Sequence, residues 1–269
     1  MPLTESARVL ITVKASPEPS SKYGDTVCVA GIRLDKPQLE WIRLYPIPFR
    51  YLEHEQQFSK YEVLELDISK ARNDPRPESF TPHLPSIKRS AAAKIADRPN
   101  YVLPLVDRTM CDVQRDIDVD LNGPSLAVVR ARSIKRLLIE KHPGWTSAEA
   151  LRLSNWAGAP DLFGTPRARE LQAPRLRASY EWFCDSADCT KHTMRLLDWE
   201  LVALQRKFPH LSDADLGDVV RNNFLTKMFP TSKTAHFYVG NFAAGPKRKS
   251  FSILGTFPST VAQPDTALF

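Results

Sequence analysis

The sequence predicts a β-rich α+β fold. Short apolar runs rich in β-branched residues are bounded by turn residues, which is typical of strands. The chain contains 22 prolines and 10 glycines, and the prolines interrupt it too often for long helices. Four strand-like runs fall in the first seventy residues and favour a small closed barrel or a strongly bent sheet. Strands should therefore form the framework, with helices added to it.

The first half begins with the four predicted strands. They have the sequences RVLITVKA, DTVCVAGIR, QLEWIRLY and YEVLELDI, at residues 8–15, 25–33, 38–45 and 61–68. A proline-rich loop follows at 72–88, and short helices are predicted at 90–98 and 107–117. The β-branched start of 125–142 favours two strands there, 126–130 and 134–140, over one helix.

The second half alternates basic, helical and strand-like segments. Residues 143–178 form a basic connection with a short helix at 147–153, and a strand ends at Cys184. Helices are predicted at 194–208 and 214–229, and strands at 236–242 and 250–257. These segments divide the chain into an N-terminal barrel-like domain (1–142), the basic connection (143–178) and a C-terminal β/helix part (179–269).

Composition limits the class of protein. The 269 residues carry a net charge of +6 and a pI near 9.1, a balance that favours polyanionic partners such as nucleic acid. No apolar run approaches the roughly 18–20 residues of a membrane span, and the N-terminus does not resemble a signal peptide. Four cysteines are too few for a disulfide scaffold. We expect a cytoplasmic protein without a membrane partner.

Several segments resemble a known group of proteins. They are KASPEPSSKYGDTVCVAGI, WIRLYPIPFR, NDPRPES, FCDSADCTKHTMRLLDWE and the closing FYVGNF and SFSILGTF. They resemble a widespread set of uncharacterised bacterial proteins connected with the proposed dual OB-containing domain. The resemblance implies two small OB-like barrels with helical additions and a nucleic-acid role, without an established activity. The family has a glycine between the lysine and the histidine of this segment, whereas here Lys191 is followed directly by His192, so we expect the turn to differ in detail.

The cysteine segment predicts a metal site. Cys184, Cys189 and His192 offer two thiolates and an imidazole in one short loop, a ligand set that suits structural zinc. A fourth ligand could come from Cys111, or from one of three aspartates, Asp185, Asp188 and Asp198. Two alternatives stay open: a catalytic metal, or simple packing in which Cys184 is in the core and His192 caps a helix.

A second group in the same segment could be catalytic. Asp198 and Glu200 follow His192 closely, and carboxylates near a histidine can hold a divalent ion for phosphodiester hydrolysis. The simpler interpretation is that both carboxylates favour the first turn of a helix and that Trp199 is a core residue.

Three basic or aromatic groups are candidates for nucleic-acid contact. OB-type barrels stack bases on aromatic side chains while arginines and lysines follow the phosphates. The candidates are Trp41, Arg43, Tyr45 and Arg50 on a strand, Arg167, Arg169, Arg175 and Arg177 in the connection, and Lys247, Arg248 and Lys249 on a hairpin. The alternative is that Trp41 packs inside the barrel and the basic residues are merely solvated.

The leading hypothesis is a nucleic-acid-binding accessory protein of a bacterial system, with DNA or RNA and partner proteins in a larger complex. The alternatives are a metal-dependent nuclease and a protein-interaction scaffold. The sequence contains no GxxxxGK[ST], GxGxxG or GxSxG motif, which argues against a nucleotide-driven motor, a dinucleotide oxidoreductase and an α/β-hydrolase.

Overall fold

The computed structural model describes residues 3–20, 24–52, 54–158, 171–243 and 245–260. The first part of the chain forms strands joined by short turns. These strands are β1 (Thr4–Lys14), β2 (Glu18–Ser20), β3 (Gly24–Arg33), β4 (Glu40–Ile47), β5 (Glu62–Lys70), β6 (Ser79–Pro82) and β7 (Lys88–Ala92).

Five of these strands close into the first barrel. Their order is β1-β3-β4-β6-β5, and β5 pairs back with β1. All neighbours are antiparallel except β4 and β6, which are parallel. The third barrel strand thus pairs with the fifth, as expected for a five-stranded OB-like Greek-key barrel. β2 and β7 extend the sheet by pairing with β3 and β5.

The rest of the chain adds helices and a second set of strands. The elements are α1 (Arg98–Val102), α2 (Met110–Val119), β8 (Leu126–Lys141), α3 (Ser147–Gly158), β9 (Leu176–Cys184), β10 (His192–Leu196), α4 (Trp199–Arg206), α5 (Asp213–Arg221), β11 (Lys233–Asn241) and β12 (Phe251–Thr260).

The second barrel repeats the connectivity of the first. Its closed order is β10-β12-β11-β8-β9, with β10 and β12 parallel and the other neighbours antiparallel. Here α4 and α5 lie between the third and fourth barrel strands. The prediction of two OB-like halves with helical additions is therefore confirmed.

Three local predictions were wrong. Residues 126–140 form the single strand β8, which stays continuous because bulges between Ala131 and Ser133 and between Ile134 and Arg136 absorb its irregularity. The helix predicted at 90–98 is replaced by β7 and a short 3-10 turn, since β7 pairs with β5. The helix predicted from residue 194 begins at Trp199, because β10 takes the preceding residues into the barrel.

A shared apolar layer joins the two barrels. Ala30 and Ile32, on the outer face of β3, belong to the same buried cluster as Leu126 and Val128 of β8 and Tyr238 of β11. The second barrel therefore covers the outer face of β3 and β4. The second barrel begins at β8, which is hydrogen-bonded to β9 and β11. Among the described helices, none has the length and apolar character needed to cross a membrane.

Candidate metal centre and nucleic-acid interface

Three elements bring together three cysteines and a histidine. Cys184 ends β9, Cys189 lies in the following loop and His192 begins β10. Cys111 comes from the first turn of α2, more than seventy residues earlier in the chain. The predicted set of Cys111, Cys184, Cys189 and His192 therefore forms one cluster, and the three aspartates are not members of it.

The distances in this cluster suit a tetrahedral ion. The Nε2 atom of His192 lies 3.3 Å, 3.4 Å and 3.7 Å from the Sγ atoms of Cys189, Cys184 and Cys111, and the last two sulfurs are 3.5 Å apart. Zinc bonds of about 2.3 Å to sulfur and about 2.1 Å to nitrogen separate tetrahedral ligands by about 3.6–3.8 Å. Only a small movement of the side chains is needed, so the cluster could hold a metal ion.

Without an ion, the thiols of the cluster differ in acidity. Burial is the largest single influence on Cys184 and opposes its ionisation. The hydrogen bonds from His192, Ser186 and Cys111 together outweigh burial and lower the pKa of Cys184 to about 6. Burial and the neighbouring Cys184 together raise the pKa of Cys111 to about 12. Cys184 is therefore the more acidic thiol of the pair, and a metal ion would favour the ionised form of both.

The surroundings of the cluster fix its geometry. The Trp182 ring packs against His192 with ring centroids 4.9 Å apart. The helix that carries Cys111 begins with a capping box, in which Thr109 accepts from the Asp112 amide and the Asp112 side chain accepts from the Thr109 amide. Lys191, in the turn before His192, has a φ of 153°, a conformation that favours glycine.

Asp198 and Glu200 belong to a different group from His192. Asp198 is fully buried, caps the start of α4 through the Glu200 amide and pairs with the Lys60 ammonium at 2.7 Å. Glu200 lies 3.5 Å from the same ammonium. Lys60 comes from the first barrel, so this group joins the barrels. The structure does not bring Asp198 and Glu200 to His192, whose partners are the three cysteines.

The residues predicted near Trp41 lie at the contact between the barrels. Trp41 packs edge-on against Tyr238 at 6.1 Å, and Arg43 is 3% exposed. Tyr45 is 40% exposed and its hydroxyl accepts from Thr26, while Arg50 is half-buried. Trp41 therefore contributes to the shared layer, and Tyr45 is the most exposed of the four residues.

The arginines predicted in the basic connection are only partly described. Arg167 and Arg169 lie outside the described residues. Arg175 pairs with Asp213 at 2.6 Å and donates to the main chain at Leu211. Arg177, on β9, pairs with Glu140 at 2.8 Å and is partly exposed.

The predicted hairpin connects β11 to β12. Lys247 and Lys249 are exposed, and Lys249 pairs with Asp118 at 2.8 Å. Arg248 is 7% exposed and donates to the carbonyl oxygens of Ala243 and Leu121. Arg248 thus holds the hairpin in place, whereas the two lysines remain at the surface.

The outer face of the second barrel carries a cluster of cations, here called the β8–β10 face. Strand register sets Arg177 opposite Glu140, Arg195 opposite Ser179 and Arg136 opposite Glu181. The opposite side of β9 packs into the barrel core. The face is defined by Arg136, Glu140, Arg177, Ser179, Glu181, Lys191, Thr193 and Arg195.

Charge on this face is positive. Glu181 accepts from Arg136 and Lys191, and these two cations lower the pKa of Glu181 to about 2. Glu181 is therefore ionised at neutral pH, and the group of three keeps one net positive charge. Arg177 and Glu140 balance each other, and Arg195 adds a further cation beside them.

An aromatic group adjoins the same face. The Trp145 ring packs against His142 at 5.3 Å, and its indole nitrogen donates to the carbonyl of Leu171. Both rings line a small crevice together with Arg177 and Arg195. Burial lowers the pKa of His142, and the two arginines lower it further, so His142 is neutral at neutral pH.

Sequence reasoning missed Arg136, Trp145, Lys191 and Arg195 as members of this surface. The alternation of β9 puts Tyr180 and Trp182 on one face and Glu181 on the other. A matching pattern across β8 would have set Arg136 beside Glu181. Arg195 was hidden because its segment was predicted to be helical, which assigns different neighbours to each side chain.

Comparisons with known proteins place the chain in a family without assigning an activity. A family described as Domain of unknown function (DUF8757) matches residues 106–269, and one described as Domain of unknown function (DUF8758) matches residues 5–103. No curated protein matches the sequence. A solved structure of a murine DNA-binding protein bound with double-stranded DNA covers 97% of this chain and 99% of that one, at 9% identity and a TM-score of 0.31. Neither family description mentions the dual OB-containing domain, so that relation stays a resemblance.

Proposed function

The chain belongs to the family described as Domain of unknown function (DUF8757), and we propose that it binds nucleic acid on the β8–β10 face of its second barrel. The observation that carries this proposal is the open, cationic surface on the second and third strands of that barrel. OB folds bind oligonucleotides on this pair of strands and on the loops beside it.

The two barrels differ in what they leave accessible. In the first barrel the equivalent strands are β3 and β4, and their outer face is packed against the second barrel. In the second barrel the equivalent strands are β9 and β10, whose outer face carries Arg177 and Arg195. An extended ligand is therefore expected on the second barrel.

The chemistry of the face suits a polynucleotide. Guanidinium groups bind phosphates with paired hydrogen bonds, and Arg136, Arg177 and Arg195 supply three of them. The Arg177–Glu140 ion pair is exposed at both partners, and exposed pairs contribute only about 0–1 kcal/mol, so a phosphate can replace Glu140 at low cost. Trp145 offers a ring for base stacking at the edge.

In an OB fold, the loop between the first and second strands and the loop between the fourth and fifth strands flank this face. The connection from β8 to β9 includes α3 and the predicted Arg175, and the connection from β11 to β12 carries Lys247 and Lys249. Stacking on aromatic rings requires unpaired bases, so we infer a preference for single strands. The role of an accessory protein in a larger complex is part of the same proposal.

We propose that the Cys111, Cys184, Cys189 and His192 cluster holds structural zinc. Four protein ligands leave no open coordination position, which is the arrangement of structural sites. The ion would fix the β9–β10 turn, and Lys191 on that turn belongs to the β8–β10 face. The metal centre would then support the binding surface without touching the ligand.

The binding experiment compares two pairs of substitutions in the full chain. Labelled single-stranded DNA and RNA are titrated by fluorescence anisotropy at low salt. Arg177→Ala with Arg195→Ala should weaken binding at least tenfold, because two phosphate contacts are lost. Arg132→Ala with Lys233→Ala, which removes the same charge at the β8–β11 side of the barrel, should change binding less than twofold.

Two outcomes would contradict this proposal. If the protein does not bind either nucleic acid at low salt, the protein-interaction scaffold hypothesis remains. If both pairs of substitutions weaken binding equally, nucleic acid is attracted by the overall positive charge and not by the β8–β10 face. Cleavage of the oligonucleotide with Mg²⁺ or Mn²⁺ that is lost in Asp198→Ala would instead favour the nuclease hypothesis.

A further inference from the structure

A cavity of about 230 Å³ lies between the two barrels. The first barrel contributes Thr26, Cys28, Arg43 and Tyr45, from its second and third strands, and the second barrel contributes Phe242. These strands are the ligand-binding strands of an OB fold, and the cavity is the part of their surface that the second barrel leaves uncovered. Its volume is just below the usual range for ligand pockets, about 300–1,000 Å³, which suits a small ligand.

Arg43 is a buried cation in the wall of this cavity. It is 3% exposed and donates to Cys28 Sγ at 2.9 Å and to Ser125 Oγ at 3.0 Å, while its Nε has no hydrogen-bond partner. No carboxylate of the described chain lies within ion-pair distance of Arg43, and Glu78 is reached only through the Ser125 hydroxyl. An unpaired buried charge is unfavourable, so an anionic ligand would stabilise this side chain.

Arg76, the second arginine in the wall, has its hydrogen bonds satisfied by protein oxygens. Arg76 is also 3% exposed, but Asp74 accepts from it, as do the main-chain and side-chain oxygens of Asn241. Gly240 of β11 lies close to this wall. A Cβ there would be 2.7 Å from Leu254 Cδ1 and 3.2 Å from the Arg43 Nη2 atom, so a side chain would crowd both. The cavity is thus built around one guanidinium with unused donors beside one that is fully bound.

Two aromatic rings stand at the opening. Tyr45 is 40% exposed and Phe242 is 38% exposed, both line the cavity, and each comes from a different barrel. The Lys247 ammonium lies 5.8 Å from the centroid of the Phe242 ring and adds a cation at the same edge. Exposed aromatic side chains near cations are the arrangement that binds a base and its phosphate.

We propose that this cavity binds a nucleoside monophosphate group, with the phosphate at Arg43 and the base against Tyr45 and Phe242. The group could be a free nucleotide or the phosphorylated end of a single strand, since both present the same chemistry. The proposal does not depend on binding at the β8–β10 face, because a free nucleotide would occupy the cavity without it.

The test uses the full chain and four nucleoside 5′-monophosphates in calorimetric titrations, with the matching nucleosides and inorganic phosphate beside them. At least one monophosphate should bind, and its nucleoside should bind at least tenfold more weakly because the contact with Arg43 is lost. Bound nucleotide should also slow alkylation of Cys28, which lies in the wall, as followed by peptide mass spectrometry. Equal binding of nucleoside and monophosphate would overturn the assignment of Arg43.

Substitutions at the opening locate the site. Phe242→Ala should weaken nucleotide binding at least tenfold, since stacking on one ring is lost. Phe208→Ala is the matched control, because Phe208 is equally exposed at 38% and is not a lining residue. Ala243→Trp should also abolish binding by filling the opening from an exposed position, while leaving Arg43 and its hydrogen bonds intact. Equal effects of Phe242→Ala and Phe208→Ala would overturn the proposal.

A 5′-phosphorylated oligonucleotide separates the two sources. If the oligonucleotide protects Cys28 at concentrations at least a hundredfold below those of the mononucleotide, the ligand is a strand end. If both protect Cys28 at equal concentrations, the ligand is a free nucleotide. If no monophosphate binds and no 5′-phosphorylated strand protects Cys28, the cavity proposal is overturned. If a nucleotide binds but no oligonucleotide does, the cavity proposal stands and only the proposed function, binding on the β8–β10 face, is contradicted.

Discussion

Three arginines show how the position of a single residue decides its role. Arg43, Arg76 and Arg248 are each less than a tenth exposed, although the sequence places them in basic or polar segments. Arg76 donates to Asp74 and to Asn241 of the second barrel. Arg248 donates to carbonyl oxygens beside its own hairpin, and Arg43 lines the cavity. A strand pattern indicates which way a side chain points, but the covering of that face by a second barrel depends on contacts distant in sequence. The exposure of Arg43 and Arg248 could therefore not be predicted.

Asp74 gives a pH prediction at the residue scale. Burial opposes its ionisation, but the Arg76 guanidinium dominates and lowers the pKa of Asp74 to about 2, from an ordinary value of 3.8. Because the folded pKa is below the unfolded one, ionised Asp74 stabilises the fold above about pH 4, and this contribution is lost as the pH falls toward 2. Asp74→Asn should therefore lower the free energy of unfolding at neutral pH.

Urea unfolding at a series of pH values checks this prediction. The difference in free energy of unfolding between the native protein and Asp74→Asn should be constant from about pH 5 to 7 and should shrink between about pH 4 and 2. A difference that stays unchanged down to pH 2 would mean that Arg76 does not favour the ionised form of Asp74.

The metal centre gives a second prediction at this scale. Purified protein should contain one zinc per chain, and Cys184→Ser should lose it and lower the melting temperature, because one of four ligands is removed. Cys28→Ser is the control, since Cys28 is a free cysteine of the first barrel beside Arg43 and should keep the metal. Metal-free native protein would refute the zinc proposal.

At the scale of elements, α2 connects helix capping to the metal centre. Thr109→Ala removes the cap that begins this helix, which typically costs about 1 kcal/mol. Because Cys111 lies in the first turn, the same change should also weaken metal affinity, measured by competition with a chelator. Ser212→Ala removes a comparable cap from α5, which carries no ligand, and should reduce stability without changing metal affinity. If Thr109→Ala and Ser212→Ala have equal metal affinities, the cap of α2 does not influence the metal site and this prediction is wrong.

The strands β8 and β10 show how far sequence patterns reach. The residues of the metal cluster were predictable because thiols and an imidazole stand close together, and Cys111 could be named as one of several fourth ligands. The pattern of β8 was misread, since two bulges break its alternation. β10 was misread as helix because His192–Leu196 is short and its pairing with β9 is visible only in the folded chain.

At the scale of the molecule, a buried ion pair spans the two barrels. Lys60 of the first barrel and Asp198 of the second are 8% and 0% exposed in their side chains and lie 2.7 Å apart. Lys60→Met should leave the Asp198 charge without its partner and reduce the free energy of unfolding by about 3–5 kcal/mol. Adding Asp198→Asn should recover part of this loss, because asparagine is neutral and still caps a helix.

Chemical denaturation followed by circular dichroism measures these free energies. A loss below 1 kcal/mol for Lys60→Met, or a double variant less stable than the single one, would contradict the role of this pair.

The existence of two barrels was predictable from the number and spacing of the strands together with the family resemblance. Their common apolar layer was not, because it unites Ile32, Val128 and Tyr238, whose strands are far apart in sequence.

The central claim is that the β8–β10 face contacts nucleic-acid phosphates, and the salt dependence of binding tests it most directly. For single strands, the logarithm of the binding constant falls with the logarithm of salt concentration by about 0.7 for each phosphate contacted. Arg177→Ala with Arg195→Ala should therefore reduce this slope by about 1.4, whereas Arg132→Ala with Lys233→Ala should leave it unchanged. An unchanged slope in the first variant, or no binding by the native protein at low salt, would contradict the claim.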